Sequence, residues 1–180
     1  MNVKNYVLAA FGAAIIAVLA QVTIPLPLVP ITGQTLAVGL VATILGPRLG
    51  TLAVAVYLLL GAAGLPVFAM FTGGLAKLVG PTGGYLVGFL PAAYLMGLYL
   101  EKTSYTYVQA AVANVIGMFV TLLFGTIWLK IANDLSWTGA MMGGTIPFII
   151  PGLLKAGVAT WLGIFVRNRL KQAKLIAATS

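Results

Sequence analysis

The stretch "VTIPLPLVPITGQTLAVGL", residues 22–40, begins where an apolar helix should end. Pro25, Pro27 and Pro30 fix φ and push the residue before each toward extended backbone, so this hook is not helical. Its carbonyls and amides need water, protein or a ligand. Past Thr32 and Gly33 the chain meets Gln34 and then turns apolar again. A stiff connector accounts for the prolines but not for the amide. Gln34 offers donor and acceptor at the lip of a short span, where a polar side chain more often faces an interior than lipid.

The rest of the chain sets the context for that hook. Of 180 residues, 61% are hydrophobic and 7% charged, whereas a soluble domain carries about a quarter charged residues. Apolar stretches recur over the whole length, which marks an integral membrane protein of one domain, residues 1–180. The first of them, "YVLAAFGAAIIAVLAQV", runs into "TIPLPLVP" rather than a small-residue cleavage site, so a retained helix is expected and not a signal peptide. Cysteine and histidine are absent and the only acids are Glu101 and Asp134. That composition speaks against disulfides, a metal site and paired-carboxylate chemistry, and so against an enzyme. A stand-alone channel should show rings of charge or a filter-like repeat, and none is visible. No G-x-x-x-x-G-K-[ST] phosphate loop occurs.

Six spans are expected, near residues 6–22, 32–45, 51–65, 85–100, 108–129 and 150–166. Several fall short of the ~20 residues that cross a bilayer, so their linkers must dip into it, packed on protein or lining a wet cavity. With the amino terminus inside, the inner segments hold Lys4, Arg48, Lys102, Arg167, Arg169, Lys171 and Lys174; the outer ones hold Lys77 and Lys130. This bias places both termini in the cytoplasm. The tail "RNRLKQAK" reads as an anchor at anionic lipid headgroups rather than a nucleic-acid patch, since no aromatic residues interleave it. The expected fold is therefore all-α, a six-helix membrane bundle with irregular outer loops.

Those outer loops carry the candidates. Residues 64–85, "GLPVFAMFTGGLAKLVGPTGGY", and residues 132–145, "ANDLSWTGAMMGGT", join the hook on the outer side, while the inner connections "GPRLG" and "EKTSY" are tight. Long loops over a cavity are often functional. The glycines of "TGG" (Thr72, Gly73, Gly74) and "GPTGGY" permit positive φ and close backbone approach. They serve either a re-entrant packing turn or a ligand cradle. Lys155 follows Pro151, which suits the first turn of a helix. No carboxylate stands within five residues of this intramembrane cation. It either snorkels or awaits an anionic ligand. Asn114, a lone amide in the fifth span, either bonds across to another helix or lines the cavity. Tyr85 and Trp128 are belt residues or aromatic walls. On the first span Ala9, Ala13 and Ala17, with Ala10 and Ala14 one position over, form a small-residue face that lets another helix approach.

These features resemble the biotin-specific substrate-binding subunit of energy-coupling-factor transporters, the BioY family. The likeness covers nearly the whole chain. It is most specific in "AQVTIPLPLVPITGQTLAVGLVATILGPRLG" (20–50), "GAAGLPVFA" (61–69) and "GPTGGYLVGF" (80–89). The resemblance implies six helices, high-affinity biotin capture near the outer face and uptake, no cofactor, and a complex with one transmembrane coupling subunit and two cytoplasmic ATPases. A component for a different vitamin is the alternative. The expected ligand contacts are Thr32, Gln34, Phe68, Thr72, Gly73, Gly74, Lys77, Tyr85, Asn114 and Lys155, and the alanine face matches the family's partner-docking surface. One departure stands out. The family's last-helix motif reads Pro-Gly-Asp-x-x-Lys, and here Pro151-Gly152 is followed by Leu153, Leu154 and Lys155. The lysine carries over and the aspartate does not. The ureido N–H groups of biotin want acceptors when buried, so Gln34, Asn114 or backbone carbonyls must supply them.

Overall fold

The computed structural model describes residues 3–176. Seven helices follow one another: α1 (Val3–Ala20), α2 (Gln34–Ala62), α3 (Leu75–Val79), α4 (Gly83–Lys102), α5 (Tyr107–Ala132), α6 (Trp137–Gly144) and α7 (Ile146–Gln172). Five segments are long and apolar enough to cross a membrane: α1, α2, α4, α5 and the α6–α7 run. The surface is inverted relative to a soluble bundle. Phe11, Leu59, Phe119, Leu123, Leu154 and Trp161 point outward, while Gln34, Thr43, Asn114, Thr121, Thr160 and Arg167 are buried. That distribution is the one expected when lipid, not water, surrounds the helices.

The decisive event lies inside α2. Gly46 takes φ 78 and ψ −172, a conformation open essentially to glycine alone. In an unbroken helix, Gln34 and Tyr57 would stand roughly 35 Å apart at ~1.5 Å per residue. Instead Gln34 Nε2 donates to the Tyr57 hydroxyl at 2.6 Å. A Cβ on Gly50 would come within 3.0 Å of the Ala42 Cα. The helix therefore doubles back at Gly46-Pro47 into two limbs, residues 34–45 and 47–62, lying side by side. These limbs correspond to the second and third expected spans. Arg167 Nη1 donates to the Ile44 carbonyl at the end of the first limb, satisfying an acceptor that the break orphans.

α4 packs between α2 and α5, and α7 lies against α2 and α5. Small residues set the spacing: Gly97 abuts Pro47, Gly84 abuts Trp128 and Gly163 abuts Thr43. Without a hydrophobic drive between helices in lipid, such close backbone approach is the main source of packing energy. Lys4 Nζ donates to the Lys174 carbonyl at 2.9 Å, so the beginning of α1 and the end of α7 share one end of the bundle. The hook occupies the other.

Several expectations are corrected. The hook is not merely extended: Thr23 pairs with Thr32 and Ile24 with Ile31 as two short antiparallel strands, β1 (Thr23–Ile24) and β2 (Ile31–Thr32). The prolines lie in the turn between them, where no ladder amide is needed. Pro151 does not open the last helix. α7 begins at Ile146 with Pro147 in its first turn, and Pro151 lies inside, so Lys155 is deeper in the helix than its spacing from Pro151 suggests. Gly83 and Gly84 are helical; they serve packing rather than a positive-φ cradle. Residues 137–144 form α6, capped by the Ser136 hydroxyl accepting from the Gly139 amide at 3.1 Å. The alanine face divides. Ala9 and Ala13 are buried against the limbs of α2, and Ala17 is half-buried, whereas Ala10 and Ala14 are exposed. Gly12 on the inward side abuts Val41 and Ala53, which fixes that side as core.

Candidate functional site

A cavity of about 520 Å³ opens at the hook end, between the hook, the 68–82 loop and the facing ends of α2, α4, α5 and α7. That size suits a small organic ligand. Its walls are largely apolar, with Val29, Val38, Leu86, Phe89, Met118 and Phe148 among them. Thr32, Gln34, Phe68, Thr72, Gly73, Lys77, Tyr85, Asn114 and Lys155 all line it. Gly74 does not. With φ 92 it precedes α3, and its amide donates to the Gly61 carbonyl at 2.7 Å, fixing the loop from outside the cavity.

The hook builds the polar rim. The Thr32 hydroxyl donates to Gln34 Oε1 at 2.9 Å, and Gln34 Nε2 is held by Tyr57. Tyr57 in turn meets Phe68 edge-on at 5.5 Å between ring centroids. The Thr32 carbonyl accepts from Lys155 Nζ at 2.7 Å, with the Thr35 hydroxyl at 3.4 Å. Lys155 thus has two of its three N–H donors engaged. Among the described residues no carboxylate lines the cavity, so this cation is unneutralised. One strand residue, Thr32, therefore positions both the amide and the ammonium. Asn114 forms the floor: Nδ2 donates to the Ala110 carbonyl at 2.9 Å and reaches the Thr43 and Thr160 hydroxyls at 3.1 and 3.4 Å. Its Oδ1 abuts Gly39, where a Cβ would collide with it. Both open readings of Asn114 hold at once, since it ties three helices together and faces the cavity.

The loop over the site is braced by a residue that the sequence reading passed over. Gln21, at the end of α1, donates to the Ala17, Val67 and Phe68 carbonyls at 3.0, 3.4 and 3.2 Å and accepts from the Phe71 amide at 2.9 Å. These bonds hold Met70 and Phe71 at φ 58 and 54, values costly for non-glycine residues. An isolated amide at the last turn of an apolar helix was the available signal. Tyr85 is neither a belt residue nor only a wall. It is buried, and its hydroxyl donates to the Gly144 carbonyl at 2.7 Å. Trp128 is half-exposed and donates to the Gly80 carbonyl at 2.9 Å, clamping the loop to α5.

The family profile described as BioY matches residues 1–172. The chain belongs to the BioY family. It is 44% identical over 165 residues to the biotin transporter BioY2 of Lactococcus lactis subsp. cremoris, covering 91% of each protein. It is 38% identical to a probable biotin transporter BioY of Pyrococcus horikoshii, over 95% of this chain and 98% of that one. It is 40% identical to the biotin transporter BioY of Thermotoga maritima, over 92% and 96%. The fold matches a crystal structure of the S-component for biotin from an ECF-type ABC transporter. The TM-score is 0.85 with 29% identity over 92% of each chain. Like other BioY family members the chain is a multi-pass membrane protein and a transport component, not an enzyme.

Proposed function

We propose that this chain captures biotin in the hook-end cavity and takes it up as the S component of an energy-coupling-factor transporter. The observation that carries the reading is the pairing of an unneutralised Lys155 with the amides of Gln34 and Asn114 around an apolar cavity of about 520 Å³. Biotin is an apolar bicycle and chain with a urea at one end and a carboxylate at the other. Its carboxylate is the counter-ion that Lys155 lacks. Its ureido group takes acceptors from Gln34, Asn114 and nearby backbone carbonyls, in place of the aspartate missing after Gly152. Phe68, Thr72, Gly73, Lys77 and Tyr85 complete the wall.

The charge bias puts the hook end outside and both termini in the cytoplasm, with the two limbs of α2 counted as separate spans among six. Ala10 and Ala14 form the exposed side of α1 left for a transmembrane coupling subunit, through which two cytoplasmic ATPases act. Equilibrium binding of radiolabelled biotin to the purified chain tests the reading, with thiamine, riboflavin and folate as competitors. Saturable binding displaced only by biotin and its close analogues is expected. Failure to bind biotin, or displacement by another vitamin, overturns it.

A further inference from the structure

A second pocket lies at the opposite end of the bundle, where α1 begins and α7 ends. Its lining includes Lys4, Arg48, Arg167 and Lys174, with Glu101 as the acid and Tyr105 beside it. Four cations against one carboxylate leave the lining strongly positive. Arg167 is the unusual member. It is 4% exposed, and its guanidinium carbon stands 3.4 Å from the centroid of the Tyr105 ring. Of its five N–H donors, one reaches the Ile44 carbonyl, while Nε is buried with no acceptor among the described residues. Glu101 lines the same pocket and attracts Arg167 through space, one negative charge against four positive ones. Burial pushes the Tyr105 phenol above its ordinary value, with Arg167 opposing and Glu101 adding to the shift. The ring therefore stays neutral and does not offset the cations. A buried guanidinium left short of acceptors is costly, and its planar fork matches phosphate oxygens.

We propose that this pocket binds a phosphate-bearing anion, either an anionic phospholipid headgroup or free phosphate. Arg48, Lys174 and Lys4 form the charged rim, and Arg167 is the buried anchor. Exposed Val3, Tyr6 and Val7 on α1 border the same end, giving acyl chains an apolar track. The site is remote from the hook-end cavity and stands or falls independently of the biotin reading.

The test uses the purified full chain in neutral detergent micelles. Native mass spectrometry measures retention of added phosphatidylglycerol against phosphatidylcholine. Phosphatidylglycerol should be retained at least about fivefold better, the effect of roughly one surface cation. The double variant Arg48→Gln/Lys174→Gln should lose most of that preference while biotin binding stays unchanged. Lys174→Gln alone, at an exposed position, serves if the double variant does not fold. Lys102→Gln/Arg169→Gln removes the same charge from nearby exposed positions outside the pocket and should leave the preference intact. In parallel, inorganic phosphate is titrated against thermal unfolding. If phosphate raises the melting temperature and displaces the lipid, the ligand is free phosphate; if it does neither while phosphatidylglycerol is retained, the ligand is the headgroup with its chains. Two results overturn the proposal: no preference for phosphatidylglycerol together with no response to phosphate, or an equal loss in the Lys102/Arg169 variant, which would reduce the effect to diffuse charge.

Discussion

Replacing Lys155 by Met keeps an apolar stem of similar reach and removes only the ammonium. Two losses follow from the contacts. The first is the charge-assisted bond to the ligand carboxylate, about 1.5–3 kcal/mol, or roughly 10- to 150-fold in Kd. The second is the tether to the Thr32 carbonyl at 2.7 Å, also a bond from a charged donor and worth up to about 1.5–3 kcal/mol on the same scale. That loss loosens the hook for every ligand. A neutral biotin amide therefore suffers only the second loss, at most roughly 10- to 150-fold. Biotin suffers both. Titration calorimetry on Lys155→Met with the two ligands should show a gap of at least about tenfold between their losses. Equal losses would refute the assignment: Lys155 would then be a brace for Thr32, and the carboxylate would lie elsewhere, with Lys77 the next cation on the lining.

Gln34→Leu should weaken biotin and its amide alike, because it strands the Thr32 and Tyr57 hydroxyls, each unsatisfied group costing about 1–3 kcal/mol; unchanged affinity in the same calorimetry returns Gln34 to packing. Gly46→Ala forces a side chain into φ 78, ψ −172 at about 1–3 kcal/mol and should lower the melting temperature in detergent, whereas an unaltered unfolding curve means the limbs are held by packing alone. Ala14→Trp should abolish cellular uptake and co-purification of the coupling subunit while leaving biotin binding intact. Ala13→Trp, buried against α2, should lose binding as well; matching phenotypes for the two variants would move the docking face off α1. Gln21→Leu should speed biotin dissociation by releasing the 67–71 loop, and an unchanged off-rate assigns that loop no part in retention.

Much of this was legible in the residues themselves. The apolar runs, the helix-breaking prolines and the isolated Gln34, Asn114 and Lys155 all point to a membrane bundle with one polar cavity. These signals are local, and local signals survive in sequence. What could not be read was pairing at a distance. The β1–β2 ribbon rests on Thr23 meeting Thr32, which no periodicity announces in strands of two residues. The alanines of α1 recur on both sides of the helix, so spacing alone could not say that Ala9 and Ala13 face inward and Ala10 and Ala14 outward. Pro151 resembles a helix start, and only Pro147 in the preceding turn shows that the helix has already begun. Gln21 was missed because its acceptors lie 46 and 47 residues away.

The fold-back at Gly46 bears on how a ligand enters. The first limb, residues 34–45, reaches about 18 Å at ~1.5 Å per residue, against a hydrocarbon thickness of ~30 Å. With Gly46 at one edge of that slab, the rim formed by Thr32, Gln34 and Lys155 stands roughly 12 Å below the other. Biotin would thus descend a funnel walled by the hook and the 68–82 loop, passing Thr72 and Lys77 on that loop before it meets the rim beneath. Selection on this route would act by depth as well as by contact. A biotin carried on a bulky support through a spacer shorter than that depth would be stopped at the mouth, however well its head group matched the cavity beneath.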